Sequence, residues 1–164
     1  MSKEYLRDNA GEYPVYSSQT LNDGMLGKIS TFDYDGEYLT WTTDGANAGS
    51  IFYRTGKFSI TNVCGLLKIT AKQVLPKFLY YVLGTTAKKY VNAGMGNPKL
   101  MSNVMAKIKV PVPSLEEQER IVGILDKFDA LVNDISIGLP AEIDGRRKQY
   151  EYYRNKLLTF PQVD

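Results

Sequence analysis

The chain has 164 residues, 43% of them hydrophobic, which is enough for one ordinary domain with a core, or one domain and an extended appendage. Its single cysteine, Cys64, cannot form an internal disulfide, and a sequence without histidine excludes histidine-dependent triads and zinc–histidine sites. No apolar run is long enough for a membrane span, and residues 1–11 are too polar for a signal peptide. We therefore expect a folded, cytoplasmic protein with no membrane partner.

The net charge of +2 conceals an uneven distribution along the chain. Residues 1–110 hold thirteen basic and eight acidic residues (+5), whereas residues 111–164 hold seven basic and ten acidic ones (−3). No acidic residue lies between Asp44 and Glu116, where ten lysines and arginines occur. A long stretch with one sign of charge favours a polyanionic partner, most often a phosphate backbone. A lysine-rich solvated surface is the alternative.

Residues 12–70 have the pattern of short strands and turns. "YPVYSSQT" (13–20) alternates, and "FDYDGEYLTW" (32–41) has Asp35-Gly36 where a hairpin tip is expected. Asp44-Gly45 and Gly56-Lys57 predict further turns. This part of the chain is expected to be rich in β-structure.

The spacing of the apolar residues changes after Pro76 from that of a strand to that of a helix, and it stays helical as far as Tyr90. Proline suits the first turn of a helix. Residues 92–103 ("NAGMGNPKLMSN") predict a loop, and residues 107–113 ("KIKVPVP") predict a last strand that the prolines end. A first domain is therefore expected to close at Pro113.

A helical region is predicted after this domain. Ser114 and Glu117 have the spacing of a capping box at a helix start. A helix from Leu115 to Ile137 would be about 34 Å long, about one turn of B-DNA. "GLP" at 138–140 breaks this helix, and a second one is expected from about Pro140 to Phe160.

Both helices are expected to present apolar faces. The first face comprises Ile121, Ile124, Leu125, Phe128, Leu131, Val132 and Ile135, and the second comprises Ile143, Tyr150 and Leu157, one heptad apart, with Tyr153 between them. Such faces must be buried elsewhere, which predicts a helical hairpin or coiled coil that docks on a partner. Packing against the first domain is the alternative.

Motifs for catalysis are weak throughout. Gly94-Met95-Gly96 lacks the third glycine and the acidic residue of a nucleotide-binding loop, and Asn97-Pro98 is not followed by the second proline and aromatic residue of an amino-methyltransferase motif. Cys64 lies in an apolar, strand-like segment, which indicates a buried inert thiol. The sequence therefore predicts no catalytic residues and no metal site.

Four segments together carry a family resemblance. Residues 110–135 ("VPVPSLEEQERIVGILDKFDALVNDI") and 138–160 ("GLPAEIDGRRKQYEYYRNKLLTF") resemble the conserved region of a type I restriction-modification DNA specificity subunit. Residues 11–29 ("GEYPVYSSQTLNDGMLGKI") and 44–58 ("DGANAGSIFYRTGKF") resemble the target recognition domain that precedes such a region.

The resemblance implies an α+β fold with two parts. A β-rich target recognition domain with one or two packed helices would occupy residues 1–113, and a long helical hairpin or coiled-coil spacer would occupy residues 114–164. A complete specificity subunit resembles two tandem copies of this arrangement, and this chain has one, so a half subunit that acts as a homodimer is expected. The resemblance also implies that the recognition domain would begin late, since family members usually carry an additional segment before the region at residues 11–16.

The resemblance also implies a subunit without chemistry of its own. It would read a half-site in double-stranded DNA and bind modification and restriction subunits. The chain itself would bind no cofactor, since S-adenosylmethionine is carried by the modification subunit. A stand-alone DNA-modifying enzyme and a helical adaptor protein are the competing hypotheses.

Candidate DNA contacts are predicted from the loops and the acid-free stretch. Base-edge contacts are expected from arginine, asparagine, glutamine or lysine side chains on loops, and positioning contacts from the lysines and arginines of the acid-free stretch. The predicted base readers are Gln19, Asn47 and Arg54, and the predicted positioning residues are Lys57, Asn97 and Lys99.

Overall fold

The computed structural model describes residues 3–94, 96–133 and 138–158. The chain forms two compact units, Met1–Glu119 and Arg120–Asp164, which are described separately. The strands are β1 (Ala10–Tyr16), β2 (Met25–Ile29), β3 (Tyr34–Thr42), β4 (Ile51–Ile60) and β5 (Cys64–Leu67). The helices are α1 (Lys3–Asp8), α2 (Pro76–Thr86), α3 (Ser102–Met105), α4 (Leu115–Asn133) and α5 (Leu139–Leu158), with 3-10 turns at Leu21–Gly24 and Ala87–Tyr90.

The five strands form one sheet in the order β2-β1-β4-β3-β5. β1 and β4 pair in parallel through Val15 and Ser59, and every other neighbouring pair is antiparallel. The combination of this sheet with several helices confirms the predicted α+β class. Within the described ranges, no helix has the length and apolar character needed to cross a membrane.

One face of the sheet packs against the helices of the first unit. Leu39 and Trp41 of β3 are buried together with residues contributed by α2, α3 and the segments that follow them, namely Leu83, Ala87, Leu100 and Met105. The Trp41 indole Nε1 donates a hydrogen bond to the Leu100 carbonyl at 2.9 Å. Because side chains alternate along a strand, neighbouring residues of β3 point to the opposite face.

The opposite face is aromatic and polar. Phe58 of β4 is fully buried, and its ring lies 5.5–5.7 Å from the rings of Tyr16, Tyr34 and Tyr38. Rings at these distances stabilise the sheet beyond the area that they bury. This face also carries Arg54, which lies four residues before Phe58.

Two of the predicted turns are wrong, because Asp35-Gly36 and Gly56-Lys57 lie inside β3 and β4. They pair directly across the two strands, Asp35 with Lys57 and Gly36 with Gly56. Both glycines have positive φ, 132° and 77°, so they mark irregular points in a long antiparallel pair rather than its end. The predicted turn at Asp44-Gly45 is confirmed, since β3 ends at Thr42 and β4 begins at Ile51.

The predicted last strand is also wrong, because residues 107–113 pair with no strand in the part of the chain that the structure describes. Ile108 and Val110 are half-buried against the core around Trp41, so their apolar pattern reflects packing rather than strand pairing. Pro111 and Pro113 lack the backbone N–H that a ladder requires. The predicted helix after Pro76 is confirmed as α2 and the 3-10 turn that follows it.

The predicted start of the first long helix is confirmed at Ser114. Its Oγ accepts a hydrogen bond from the Glu117 backbone N–H at 3.4 Å, and α4 begins at Leu115. The nineteen residues of α4 are about 28 Å long at 1.5 Å per residue. Residues 134–137, over which the predicted helix would continue, lie outside the described residues.

The apolar side chains of α4 include several with large exposed fractions. Ile121 and Leu125 are half-buried, whereas Ile124, Phe128, Leu131 and Val132 are exposed, Phe128 to 61%. Ile135, predicted on the same face, lies outside the described residues.

The second long helix, α5, is more polar than predicted. Three ion pairs at i,i+4 spacing run along it: Glu142–Arg146, Asp144–Lys148 and Arg147–Glu151. Ile143, Tyr150 and Tyr153 are exposed on the same helix, and the side chain of Leu157 lies outside the described part of the chain. The expected apolar face is therefore well formed on α4 and weak on α5.

Candidate nucleic-acid interface

Three loops of the first unit meet at one surface. The Gly45 N–H donates to the Pro98 carbonyl at 3.0 Å, which joins the turn at residues 43–50 to the loop at residues 91–99. The Asn47 side-chain amide donates to Thr20 Oγ1 at 3.0 Å, which joins the same turn to the loop at residues 17–24. We call these three loops, together with Lys88 and Lys89, the loop surface.

The turn at residues 43–50 is fixed by its own hydrogen bonds and by close packing. The Ala48 N–H donates to the Gly45 carbonyl at 2.9 Å, and the Ser50 N–H donates to the Asn47 carbonyl at 3.1 Å. Gly49 has φ of 79°, and a Cβ there would lie 3.3 Å from the Lys88 backbone. The turn can therefore rest on the end of the helical segment only because residue 49 has no side chain.

The loop at residues 91–99 is closed at its base and exposed at its tip. Asn92 and Lys99 exchange two backbone hydrogen bonds at 2.9 and 3.0 Å, and the Leu100 N–H donates to the Thr43 carbonyl at 2.8 Å. Above this base, a cavity of about 250 Å³ is lined by Asn92, Gly94, Gly96, Asn97 and Lys99. Two side-chain amides and one ammonium group therefore surround an open space.

Four of the six predicted DNA contacts lie on the loop surface. Asn47, Asn97 and Lys99 are exposed, and Gln19 is half-buried with its side-chain amide donating to the Met25 carbonyl. Amide side chains can both donate to and accept from base edges, and an ammonium group suits phosphate. The structure brings these four residues together from three separate loops.

Lys88, one of the ten basic residues of the acid-free stretch but not one of the six named contacts, lies between two of these loops. It borders a cavity that is lined by residues of both, including Ala46, Val91 and Pro98. The consecutive lysines at 88 and 89, just after the predicted helix, were the available signal. Lys88 adds a second exposed positive charge to the loop surface.

Lys57 lies at a distance from the turn at residues 43–50 of this surface. It lies in β4 opposite Asp35, six positions after Ile51, which is the first residue of β4 after the turn at residues 43–50. Six strand residues extend about 20 Å. Its Nζ lies 4.7 Å from the centre of the Phe32 ring, a cation–π arrangement at the other end of the strand pair.

The sequence predicts that Arg54 reads a base edge. In the structure its side chain is only 2% exposed, so it is not free to do so. Its guanidinium forms an ion pair with the Asp23 carboxylate and donates to the Asp23 carbonyl at 2.6 Å and to Thr40 Oγ1 at 3.2 Å. The group also stacks 3.6 Å above the Tyr16 ring and 4.6 Å from the Phe52 ring. We call Arg54 and these four partners the Arg54 network.

The backbone held by this network is unusual. Asn22 and Asp23 have φ of 51° and 52°, and Gly24 continues the left-handed run with φ of 76°. A non-glycine residue in this region costs up to about 1–2 kcal/mol, and asparagine and aspartate adopt it most readily. A Cβ at residue 24 would lie 3.1 Å from the Arg54 Nη2 atom and 3.1 Å from the Gln19 carbonyl oxygen, so glycine is favoured both for conformation and for space.

Most lysines of the acid-free stretch remain exposed. They are Lys57, Lys68, Lys72, Lys88, Lys89, Lys99, Lys107 and Lys109. Arg54 contributes little to the external field because Asp23 neutralises it. The positive charge of the first unit is therefore carried mainly by lysine side chains in solvent.

Cys64 is buried in β5, and its burial raises the pKa of the thiol to about 11. A thiol with this pKa stays protonated at neutral pH, which makes it a poor nucleophile. Among the described residues, no three histidine, cysteine, aspartate or glutamate side chains form a group that could hold a metal ion.

Comparison with known proteins identifies similar sequences. Residues 1–144 match the family described as the type I restriction modification DNA specificity domain. A putative type I specificity subunit of Mycoplasma pneumoniae is 48% identical over 162 residues, which cover 99% of this chain and 60% of that protein. The specificity subunit of the type I restriction enzyme MpnII from the same organism is 49% identical, over 99% of this chain and 49% of its own length. The chain thus spans about half of the length of these curated relatives.

The fold is also found among solved structures. The crystal structure of the S subunit of a type I restriction-modification system from M. genitalium superposes with a TM-score of 0.64 at 18% sequence identity. The match covers 96% of this chain and 41% of that one. The similarity at this level of identity concerns the fold.

Proposed function

The chain belongs to the family of type I restriction-modification DNA specificity subunits, and on that premise we propose that its loop surface reads one half-site in double-stranded DNA. The supporting observation is the convergence of Gln19, Asn47, Asn97 and Lys99 from three loops that hydrogen bonds hold together. Three amides would supply base-edge groups, and Lys99 and Lys88 would supply phosphate contacts.

The proposal assigns no catalytic step to the chain. Modification subunits would carry S-adenosylmethionine and methylate the DNA, and restriction subunits would cut it. The chain would supply sequence recognition and a scaffold for these partners. Exposed apolar side chains on α4 support a docking role, because a helix gains stability by burying such a face.

We also propose that two copies associate through the long helices. One copy has a single recognition unit, so a symmetric pair would present two of them, as two tandem halves would in a longer subunit. The exposed Phe128 and Leu131 of α4 are the proposed centre of this contact.

The reading role is tested by selecting bound duplexes from a randomised DNA library with the chain in complex with its modification subunits. Asn97→Ala should relax the preference at one base pair and weaken binding of the selected duplex by about 1–3 kcal/mol. Binding of unrelated DNA should not change, because a base contact adds nothing to non-specific affinity.

Asn62→Ala is the matched control, since Asn62 is equally exposed and lies outside the loop surface. A wild-type complex that selects no sequence would contradict the proposed function. An Asn97→Ala complex that loses affinity equally for all duplexes would move Asn97 to the phosphate contacts.

A further inference from the structure

Arg54 combines features that are unusual for a residue of a DNA-reading unit. It is the only arginine between Asp44 and Glu116, yet 2% of its side chain is exposed. Its partner Asp23 is 72% exposed and lies in a loop that is attached to the sheet only at its ends by strand pairing. The ion pair therefore connects an interior residue to a surface loop.

We infer that Arg54 is a positioning residue that holds the loop at residues 17–24 in the shape needed for DNA reading. This inference rests on the proposed function of the loop surface. Arg54 would affect sequence preference without contacting DNA, by fixing the backbone that presents Gln19 and Thr20.

The geometry supports a directional restraint on the loop. One guanidinium nitrogen pairs with the Asp23 carboxylate and another donates to the Asp23 carbonyl, so both the side chain and the backbone of one residue are held. Two contact points define an orientation, which a single ion pair does not. The left-handed conformations of Asn22 and Asp23 would otherwise relax toward more favourable backbone angles.

Residues of the sheet in turn fix the orientation of the Arg54 guanidinium. Its Nε donates to Thr40 Oγ1 on β3, and its plane stacks on Tyr16 at the end of β1. Lysine could provide a charge and donors on one nitrogen, but neither the rigid fork of separate nitrogens nor a plane that stacks on an aromatic ring. The arrangement therefore requires arginine specifically.

The restraint reaches the proposed reading residues through short connections. Thr20 lies three residues before Asp23 and accepts the side-chain amide of Asn47 at 3.0 Å. The Gln19 carbonyl would lie 3.1 Å from a Cβ at Gly24, so the two ends of the loop are in close contact. A shift of Asp23 would displace both Gln19 and the partner of Asn47.

Two measurements test the inference. In the free chain, Asp23→Asn should accelerate backbone amide hydrogen exchange at residues 17–24 about tenfold, and more than in β3 and β4, because asparagine keeps an acceptor oxygen but loses the charge that pairs with Arg54. In the complex with modification subunits, selection from a randomised duplex library should show a loss of preference at one or more positions. Non-specific affinity and its salt dependence should match the wild type.

Asp33→Asn removes the same charge from another exposed aspartate and should behave as wild type in both measurements. Arg54→Lys should reproduce the Asp23→Asn effect, with near-ultraviolet circular dichroism verifying that the unit is folded. Because Asp23 is largely exposed, its substitution can be assessed even if Arg54→Lys does not fold.

Unchanged exchange at residues 17–24 in Asp23→Asn would overturn the inference whatever the DNA result. Faster exchange with full sequence preference, or with an equal loss of affinity on all sequences, would also overturn it. A wild-type complex without sequence preference would instead refute the proposed function, while the exchange experiment still decides whether Arg54 holds the loop.

Discussion

Two long polar side chains, Arg54 and Gln118, are buried although their sequence positions suggested exposure. Gln118 lies between two glutamates at the start of α4, yet it is fully buried. Its Nε2 donates to the Gln73 and Pro113 carbonyls at 2.8 Å each, and its Oε1 accepts from the Leu75 N–H at 2.9 Å. One side chain thus satisfies three backbone groups and attaches the first turn of α4 to the segment before α2.

Gln118→Ala should lower the free energy of unfolding of the first unit by about 2–3 kcal/mol, because unpaired buried polar groups cost about 1–3 kcal/mol. Urea denaturation followed by fluorescence of Trp41, the single tryptophan, measures this change within the same unit. Glu119→Ala, at the exposed neighbouring position, should change stability by at most about 0.5 kcal/mol. Equal midpoints for the two variants would refute the assigned role of Gln118.

At the scale of elements, long-range pairing overrides the local sequence pattern in β3 and β4, whereas the local pattern decides the conformation of α4. β3 and β4 continue through Gly36 and Gly56, where local turn preferences favour a break, because eight cross-strand partners align them. α4 follows its own periodicity and cap, and its apolar side chains remain exposed. Its conformation is local, whereas its stabilising contacts are proposed to come from a second copy.

Phe128→Asp should convert a dimer to a monomer at tens of micromolar in sedimentation equilibrium, because it places a charge in the proposed helix contact. Phe128 is 61% exposed, so the helix content of the single chain should not change. Ala130→Asp introduces the same charge about 200° around the helix and should leave the dimer intact. A monomeric wild type, or a dimeric Phe128→Asp variant, would contradict the proposed association.

At the scale of the whole molecule, charge is divided between the two parts of the sequence, with +5 in residues 1–110 and −3 in residues 111–164. Exposed lysines carry most of the positive charge, and two of them, Lys88 and Lys99, lie on the loop surface. Lys57 is equally exposed and lies at the other end of the strand pair. This arrangement predicts that DNA contacts are concentrated at one surface of the first unit.

Lys88→Ala and Lys99→Ala should each reduce the slope of log K against log salt concentration by about 0.9 on a non-specific duplex, since each lost phosphate contact releases one fewer counterion. Lys57→Ala, which removes the same charge elsewhere, should leave the slope unchanged. Fluorescence anisotropy over a salt series measures all three. Equal reductions in the three variants would place Lys57 among the phosphate contacts.

The sequence alone determined the features that depend on neighbours in the chain. The capping serine at 114, the helical periods of α2 and α4, and the turn at Asp44-Gly45 follow from local hydrogen bonds and spacing. The charge distribution also belongs to the sequence, as does the family resemblance.

Only the tertiary structure decided which residues meet across the chain. It separated Lys57 from Asn47, buried Arg54 against Asp23 thirty-one positions away, and placed Gln118 within reach of Leu75. These outcomes depend on the curl and register of the sheet and on long-range packing, in which contact free energies outweigh local preferences. A buried arginine or glutamine has the same local sequence setting as an exposed one, and its role is fixed by partners that are distant in sequence.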